Sequence, residues 1–157
     1  MELNDSLKNR RMSISRLIKA PRHLVWEVWT NPEHIKHWWG PNGFTNTIHK
    51  MEVKQGGAWE FIMHGPDGTD YKNKNVFSEV VEGEKLVYNH VTGPLFEATI
   101  TLVSEGDDTL VTMTSVFESE EQLKKVIEVF KADEGMKQNI DRLERYLAQQ
   151  IKLFDHL

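Results

Sequence analysis

The chain has 157 residues, 24 acidic and 19 basic side chains, a formal charge of −5 and no cysteine. That length suits one domain with a single core and no cross-links; the missing cysteine excludes disulfides and thiolate metal sites, and the acidic balance argues against a dedicated nucleic-acid binder. No run approaches the roughly 18 apolar residues of a membrane span, and the polar start of the sequence lacks a secretory apolar segment, so a cytoplasmic protein is expected.

Residues 1–11 lack periodicity and read as a flexible arm ahead of a single domain over 12–157. Met12 to Lys19 alternates, with Met12, Ile14, Arg16 and Ile18 on one face: a strand whose apolar face is interrupted by an arginine. Pro21 opens a helix with Leu24, Val25, Val28 and Trp29 as its buried stripe. Asn31-Pro32-Glu33 starts a second short helix, with Ile35, Trp38 and Trp39 inward, and Gly40-Pro41 stops it. Six strands follow. His49, Met51 and Val53 share a face of the first; Trp59, Phe61 and Met63 share a face of the second. Tyr71, Asn73, Asn75 and Phe77 line one side of the third, and Leu86, Tyr88 and His90 one side of the fourth. Phe96, Ala98, Ile100 and Leu102 alternate in the fifth; Val111, Met113, Ser115 and Phe117 alternate in the sixth. The short turns between them, such as Gly65-Pro66-Asp67-Gly68 and Glu105-Gly106-Asp107-Asp108, imply an antiparallel meander.

Ser119 and Gln122 form a capping box for a helix with Leu123, Val126, Ile127 and Phe130 as its stripe. Asp133 is expected to cap the last helix, where Met136, Ile140, Leu143, Leu147, Ile151 and Phe154 fall on one stripe, with Asp141, Arg142, Glu144 and Arg145 largely opposite. About 22 helical residues span roughly 33 Å. Seven paired strands span roughly 29 Å. One helix can therefore cross the whole of a curved sheet and cover its apolar face, which gives an α+β domain.

Several stretches carry a resemblance: Ala20-Pro21-Arg22, Val25-Trp26-Glu27, Trp29-Thr30-Asn31-Pro32-Glu33-His34, His37-Trp38-Trp39-Gly40-Pro41, Gly56-Gly57-Ala58-Trp59, Met63-His64-Gly65-Pro66-Asp67-Gly68-Thr69, Phe77-Ser78-Glu79-Val80 and Glu134-Gly135-Met136. In this order and spacing, over about residues 12–150, they resemble the homologues of the activator of the heat-shock-protein-90 ATPase, within the START-like, polyketide-cyclase-like superfamily. Glu52, Lys54 and Gln55 depart from the usual residues before the glycine pair. The resemblance implies the helix-grip fold, a curved antiparallel sheet of about seven strands wrapped around the long C-terminal helix. It also implies an internal cavity for a small apolar or amphipathic molecule. No cofactor and no metal are implied. An enzyme acting on such a molecule, in the manner of cyclases or dehydratases, is one alternative; a stress-response module contacting the chaperone is another. The eukaryotic activators make that contact through a separate N-terminal domain, so it is not expected to carry over.

The apolar candidates for the cavity wall are Trp38, Trp39, Trp59, Phe61 and Met63; the polar ones are Tyr71, Asn73, Tyr88 and His90. Met136 and Ile140 join them, because the N-terminal half of the long helix borders the pocket in the helix-grip architecture. With Glu60 and His64, the polar set offers the few oriented groups a small-molecule site needs, and a His–Glu or His–Tyr pair suits general acid–base work. His34 and His37 lie three apart on a helix without an acid at a supporting spacing, and read as solvated side chains. No nucleophile elbow, phosphate loop or dinucleotide fingerprint occurs.

Overall fold

The computed structural model describes residues 9–155; the expected arm lies outside the described residues as far as residue 8. Seven strands form one antiparallel sheet: β1 (Arg11–Ile18), β2 (Thr45–Met51), β3 (Ala58–His64), β4 (Asp70–Val81), β5 (Lys85–His90), β6 (Phe96–Glu105) and β7 (Asp108–Phe117). Their order is β1-β7-β6-β5-β4-β3-β2, so the meander from β2 to β7 is closed at its far side by β1. Helices α1 (Arg22–Thr30) and α2 (Pro32–Ile35) follow β1; α3 (Glu120–Phe130) and α4 (Ala132–Asp155) end the chain. This is the helix-grip arrangement.

Alternation sets the faces as expected along β3, β5, β6 and β7, whose inward residues include Trp59, Phe61, Leu86, Tyr88, Ile100 and Met113. The outer face of the β1–β7 pair is polar, with Ser13 and Thr114 hydroxyls 2.9 Å apart and Ser15 and Thr112 2.8 Å apart. In β2 the expectation fails at one point. A register shift between Ile48 and Lys50 inserts His49 as an extra residue, so Ile48 and Met51 pack on the core while His49 is exposed. Gly57 follows in the β2–β3 connection; a Cβ there would lie 2.0 Å from the Glu52 carbonyl oxygen, so only glycine fits.

Pro21 occupies the cap of α1 and not its first turn, and α2 is a single turn, Pro32–Ile35, followed by turns whose N–H groups at Trp38 and Trp39 still bond the Ile35 carbonyl. The Asn31 side chain accepts from the Glu33 N–H at 2.9 Å, as expected of an N-cap. Ser119 likewise accepts from Gln122 N–H at 3.0 Å. At the α3–α4 junction Lys131 adopts φ 54°, a left-handed conformation that turns the chain directly from one helix into the next. Helix α4 thus starts at Ala132, and Asp133 lies in its first turn, not at its cap. Phe130, placed on the α3 stripe by its spacing, is 63% exposed, because α3 ends there.

Ile140, Leu143 and Leu147 of α4 are fully buried against Trp29, Trp38, Trp59 and Ile35, and Met136 and Ile151 pack at the edge of this core; the Phe154 side chain lies outside the described residues. The charged side of α4 is not simply solvated. Arg16, the arginine on the inner face of β1, donates to Asp141 at 2.8 Å and to Glu144 at 2.9 Å, and holds the Asp141 carboxyl below the usual carboxylate range. On the opposite flank Arg142 reaches the connector after α2. Its Nη1 donates to the carbonyls of Trp39, Gly40 and Pro41 and its Nη2 to those of His37 and Phe44, at 2.8–3.1 Å. Asn139 adds a bond to the Trp38 carbonyl at 3.1 Å, and Gln138 accepts from Asn42 N–H at 3.0 Å.

Two outcomes follow for urea unfolding. Leu143→Ala removes a fully buried side chain and should cost about 2–5 kcal/mol. Arg142→Lys strands several carbonyls, because an ammonium cannot reach five acceptors from one plane; a loss of at least about 2 kcal/mol is expected, with lysine no better than glutamine. A lysine variant as stable as wild type would show that charge alone holds the connector.

Candidate functional site

Helix α4 leaves part of the inner face of the sheet uncovered. Beyond the N-terminal turns of α4 its inner face is lined instead by a cavity of about 730 Å³, within the range of small-molecule sites, about 300–1,000 Å³. Its buried wall is built from His90, Phe96 and Phe117, which stand opposite one another across β5, β6 and β7. The rings touch: His90 stacks on Phe96 at 4.8 Å, and Phe96 meets Phe117 at 5.2 Å. Ser115 lies two residues further along β7, Met12 adjoins it from β1, and Val126 closes the wall from α3. The rim is exposed and carries Tyr71, Phe130 and four charges, Asp70, Lys72, Lys131 and Glu134. Pro41 and Phe44, on the connector that Arg142 holds, complete it together with Gly135 and Gln138 of α4.

Four residues singled out from the sequence meet at this cavity: Met63, Tyr71, Asn73 and His90. The others are placed elsewhere. Trp38, Trp59, Phe61, Tyr88 and Ile140 are buried in the solid core, and Trp39 and Met136 pack at its edge. The tryptophans are held by one another: Trp29 meets Trp38 at 4.9 Å, Trp39 meets Trp59 at 5.0 Å, and the Trp38 indole donates to the Val28 carbonyl at 3.0 Å. Ile140 corrects the expectation most sharply. The N-terminal half of α4 does border the cavity, but through Glu134, Gly135 and Gln138, one helical face away from the buried stripe. Residues that sequence reasoning passed over include Phe96, Ser115 and Phe117, already on the inner face by alternation, and Gly135. The signal for Gly135 was a glycine inside a regular helix; a Cβ there would meet only Pro41, at 3.4 Å.

His90 is 9% exposed and tied at both nitrogens. Nδ1 lies 2.7 Å from the Pro94 carbonyl, which can only accept, so Nδ1 carries a proton. Nε2 lies 2.7 Å from Asn73 Oδ1 and 3.2 Å from Thr92 Oγ1. Unprotonated, it accepts from the Thr92 hydroxyl; protonated, it donates to Asn73. Burial pushes the His90 pKa below the ordinary histidine value, against the opposing effect of the Pro94 bond. Burial also raises the Tyr88 phenol. The acid–base pairs expected on the strands do not form. His64 sits on the outer face between Asp70, 2.7 Å from Nδ1, and Thr47, 2.8 Å from Nε2. His34 does pair with a tyrosine, but one on α4: its Nδ1 lies 2.6 Å from the Tyr146 hydroxyl, while His37 stacks on the same ring at 6.0 Å. His34 is thus a packing contact and not a solvated side chain. Among the described residues, no group of three or more His, Asp or Glu side chains is placed to hold a metal ion, and no helix is long and apolar enough to cross a membrane.

A curled antiparallel sheet gripping a long C-terminal helix, with a cavity at the helix N-terminus, defines a START-like α+β domain. The family model described as "Activator of Hsp90 ATPase homolog 1-like protein" matches residues 19–148, and the chain belongs to that family. It is similar to solved structures of a protein from Arthrobacter aurescens (28% identity, 91% of this chain and 88% of that one, TM-score 0.85) and of a protein from Nitrosomonas europaea (23%, 91% and 97%, 0.82). An AHSA1-like protein from Aeromonas hydrophila shares the fold at 21% identity over 88% of this chain and 94% of that one, with a TM-score of 0.70. No curated protein matches.

Since His90 is held below its ordinary value of 6.5, the unfolded chain takes up this proton first. Its contribution to stability is complete above about pH 6.5 and is lost as pH falls toward the folded-state value. Urea midpoints measured between pH 7.5 and 5.5 should therefore drop more steeply for the wild type than for His90→Gln. Parallel curves would remove His90 from the acid sensitivity of the fold.

Proposed function

We propose that this domain binds a small apolar or amphipathic molecule in the cavity beside the N-terminal turns of α4. The observation that carries the reading is the make-up of the wall: Met12, Met63, Phe96, Phe117 and Val126 line a concavity of ligand size. A largely apolar concavity of this volume is the form that small-molecule sites take. The few polar groups among them, Asn73, His90 and Ser115, fit the pattern of an apolar site with a small number of orienting contacts. Family membership points the same way. Among the described residues of the wall no nucleophile stands against a base, so binding is favoured over turnover; the neutral His90 ring is engaged by the Pro94 carbonyl and the Thr92 hydroxyl.

The test exploits Gly135. A leucine there projects from the cavity side of α4, where a Cβ meets only Pro41, and it replaces a poor helix former with a good one. Gly135→Leu should keep or raise stability by up to about 1 kcal/mol, and weaken binding of a neutral fluorescent apolar probe at least tenfold, about 1.4 kcal/mol. Ile140→Trp, in contrast, overpacks solid core and should cost about 1–3 kcal/mol. Unchanged probe affinity in a folded Gly135→Leu protein would exclude this cavity as the binding site.

A further inference from the structure

Resting on the binding function just proposed, we infer that an apolar ligand in the cavity and a proton on His90 exclude one another, so that the domain holds its ligand near neutral pH and releases it under acid. Among the described residues of the cavity wall, His90 alone is both buried and titratable, and it stacks on Phe96 at 4.8 Å. Its hydrogen bonds pull toward the charged ring. Nδ1 faces the Pro94 carbonyl and Nε2 faces Asn73 Oδ1, each at 2.7 Å, and both partners are acceptors. The Asn73 amide nitrogen donates to the Tyr71 carbonyl at 3.0 Å, which keeps the amide oxygen turned to the ring. A neutral imidazole has one proton for these two acceptors; an imidazolium has one for each. The neutral ring therefore relies at Nε2 on the Thr92 hydroxyl, 3.2 Å away, and leaves Asn73 Oδ1 without that bond.

Burial pulls the other way. A charged ring in an apolar wall has lost most of its water, and among the described hydrogen bonds no carboxylate replaces it. The ionisable groups around it stand off on every side. On its own strand Tyr88 is buried and its phenol is held neutral. Strand β4 presents Asn75 and Asn73, and β6 presents Phe96. At the cavity rim Asp70, Lys72, Lys131 and Glu134 are exposed and their charges cancel. At the end of the sheet His90 also borders a second concavity with exposed Glu97 and Glu118 and with Arg10, whose guanidinium is taken by the Phe117 carbonyl at 3.0 Å. With two acceptors favouring the charge and burial opposing it, the balance falls to whatever fills the cavity. Water there can hydrate an imidazolium; an apolar ligand covers the ring and offers it no hydrogen bond. The ligand thus binds the neutral wall more tightly, and by linkage protonation weakens the ligand by the same factor. Burial already holds the His90 pKa below 6.5, so affinity is full above that value and is lost as pH falls below it.

The test follows the carbon-13 signals of labelled histidines in the full chain through a pH titration, with and without saturating N-phenyl-1-naphthylamine, a neutral apolar probe. The His90 signal is assigned through its backbone, and circular dichroism marks the pH range over which the fold is intact. The midpoint of the His90 titration is expected to fall by at least about one pH unit with the probe, equivalent to a tenfold preference for the neutral wall. The His34 and His64 rings, bonded to Tyr146 and Asp70 away from the cavity, should give the same curve with and without it. In fluorescence titrations the wild-type Kd should be flat above about pH 6.5 and rise below it, approaching about tenfold per pH unit past the midpoint, whereas the Kd of His90→Gln should change less than about twofold over the same range. A His90 midpoint that the probe leaves unmoved, a ring that takes up no proton while the fold is intact, or a wild-type Kd as flat as that of the variant overturns the inference and leaves the binding function standing. A wild type that binds no probe at pH 7.5 overturns both. Should His90→Gln not fold, the His90 midpoint in the wild type decides alone.

Discussion

One arginine ties the two halves of this fold together. Arg142 carries its charge into a half-buried position where burial, and then the nearby Arg145, work against that charge. What offsets the loss of water is a ring of five backbone carbonyls from the connector between α2 and β2. Hydrogen bonds to a charged group are worth more than neutral ones, and a planar fork keeps them in one plane. The dependence runs both ways. Apart from the Phe44 N–H on the Pro41 carbonyl and the Asn46 amide on that of Trp39, the described hydrogen bonds give those carbonyls no other donor, and they place no carboxylate beside the guanidinium. Pro41 and Phe44 stand at the cavity rim because this arrangement puts them there. Gly40 belongs to it as well: at φ 96° it bends the connector under the Met63 methyl group in a conformation that side-chain-bearing residues rarely adopt.

Arg16 does the same on the other flank with opposite chemistry, using carboxylates of α4 in place of carbonyls. The long helix is therefore clamped by two cations of different origin, one supplied by the sheet and one by the helix itself. Between them the Ile140, Leu143 and Leu147 stripe fixes its depth. This division suits a binding domain. The C-terminal two-thirds of α4 is anchored by packing and ion pairs, while its first turns face a space instead of a core.

Periodicity made most of the architecture legible. Alternation located the strands and their inner faces, and the helical stripe located α4, because both patterns record which side chains leave water. The misreadings fall where local geometry departs from the period. The bulge at His49 shifted the facing of β2, and the left-handed Lys131 cut α3 short and exposed Phe130. The site was harder to read for a different reason. A cavity is defined by what side chains fail to fill, and a pattern of apolar residues is the same whether they meet neighbours or empty space. Trp38, Trp59 and Ile140 read as wall residues for that reason, yet they fill the core. Phe96 and Phe117 have the same alternation and line the void, because Ala98 and Ser115 beside them are small and the helix overhead has ended. Polar residues on an inner face were the better guide: Asn73 and His90 were both drawn from the sequence and both stand at the cavity.

The bulge in β2 has a consequence for how the molecule coexists with other chains. The sheet curls without joining its ends, so β1 and β2 each present an edge with unpaired backbone groups. Such an edge is a template for a strand from another molecule, and long regular edges are the ones that recruit. At β2 the extra residue at His49 interrupts the even spacing of donors and acceptors after Ile48, and Lys50 places a charge beside the break. An incoming strand can pair with no more than a few residues before its register is lost. The irregularity that misdirected one face assignment thus blunts the β2 edge of an open sheet against intermolecular addition.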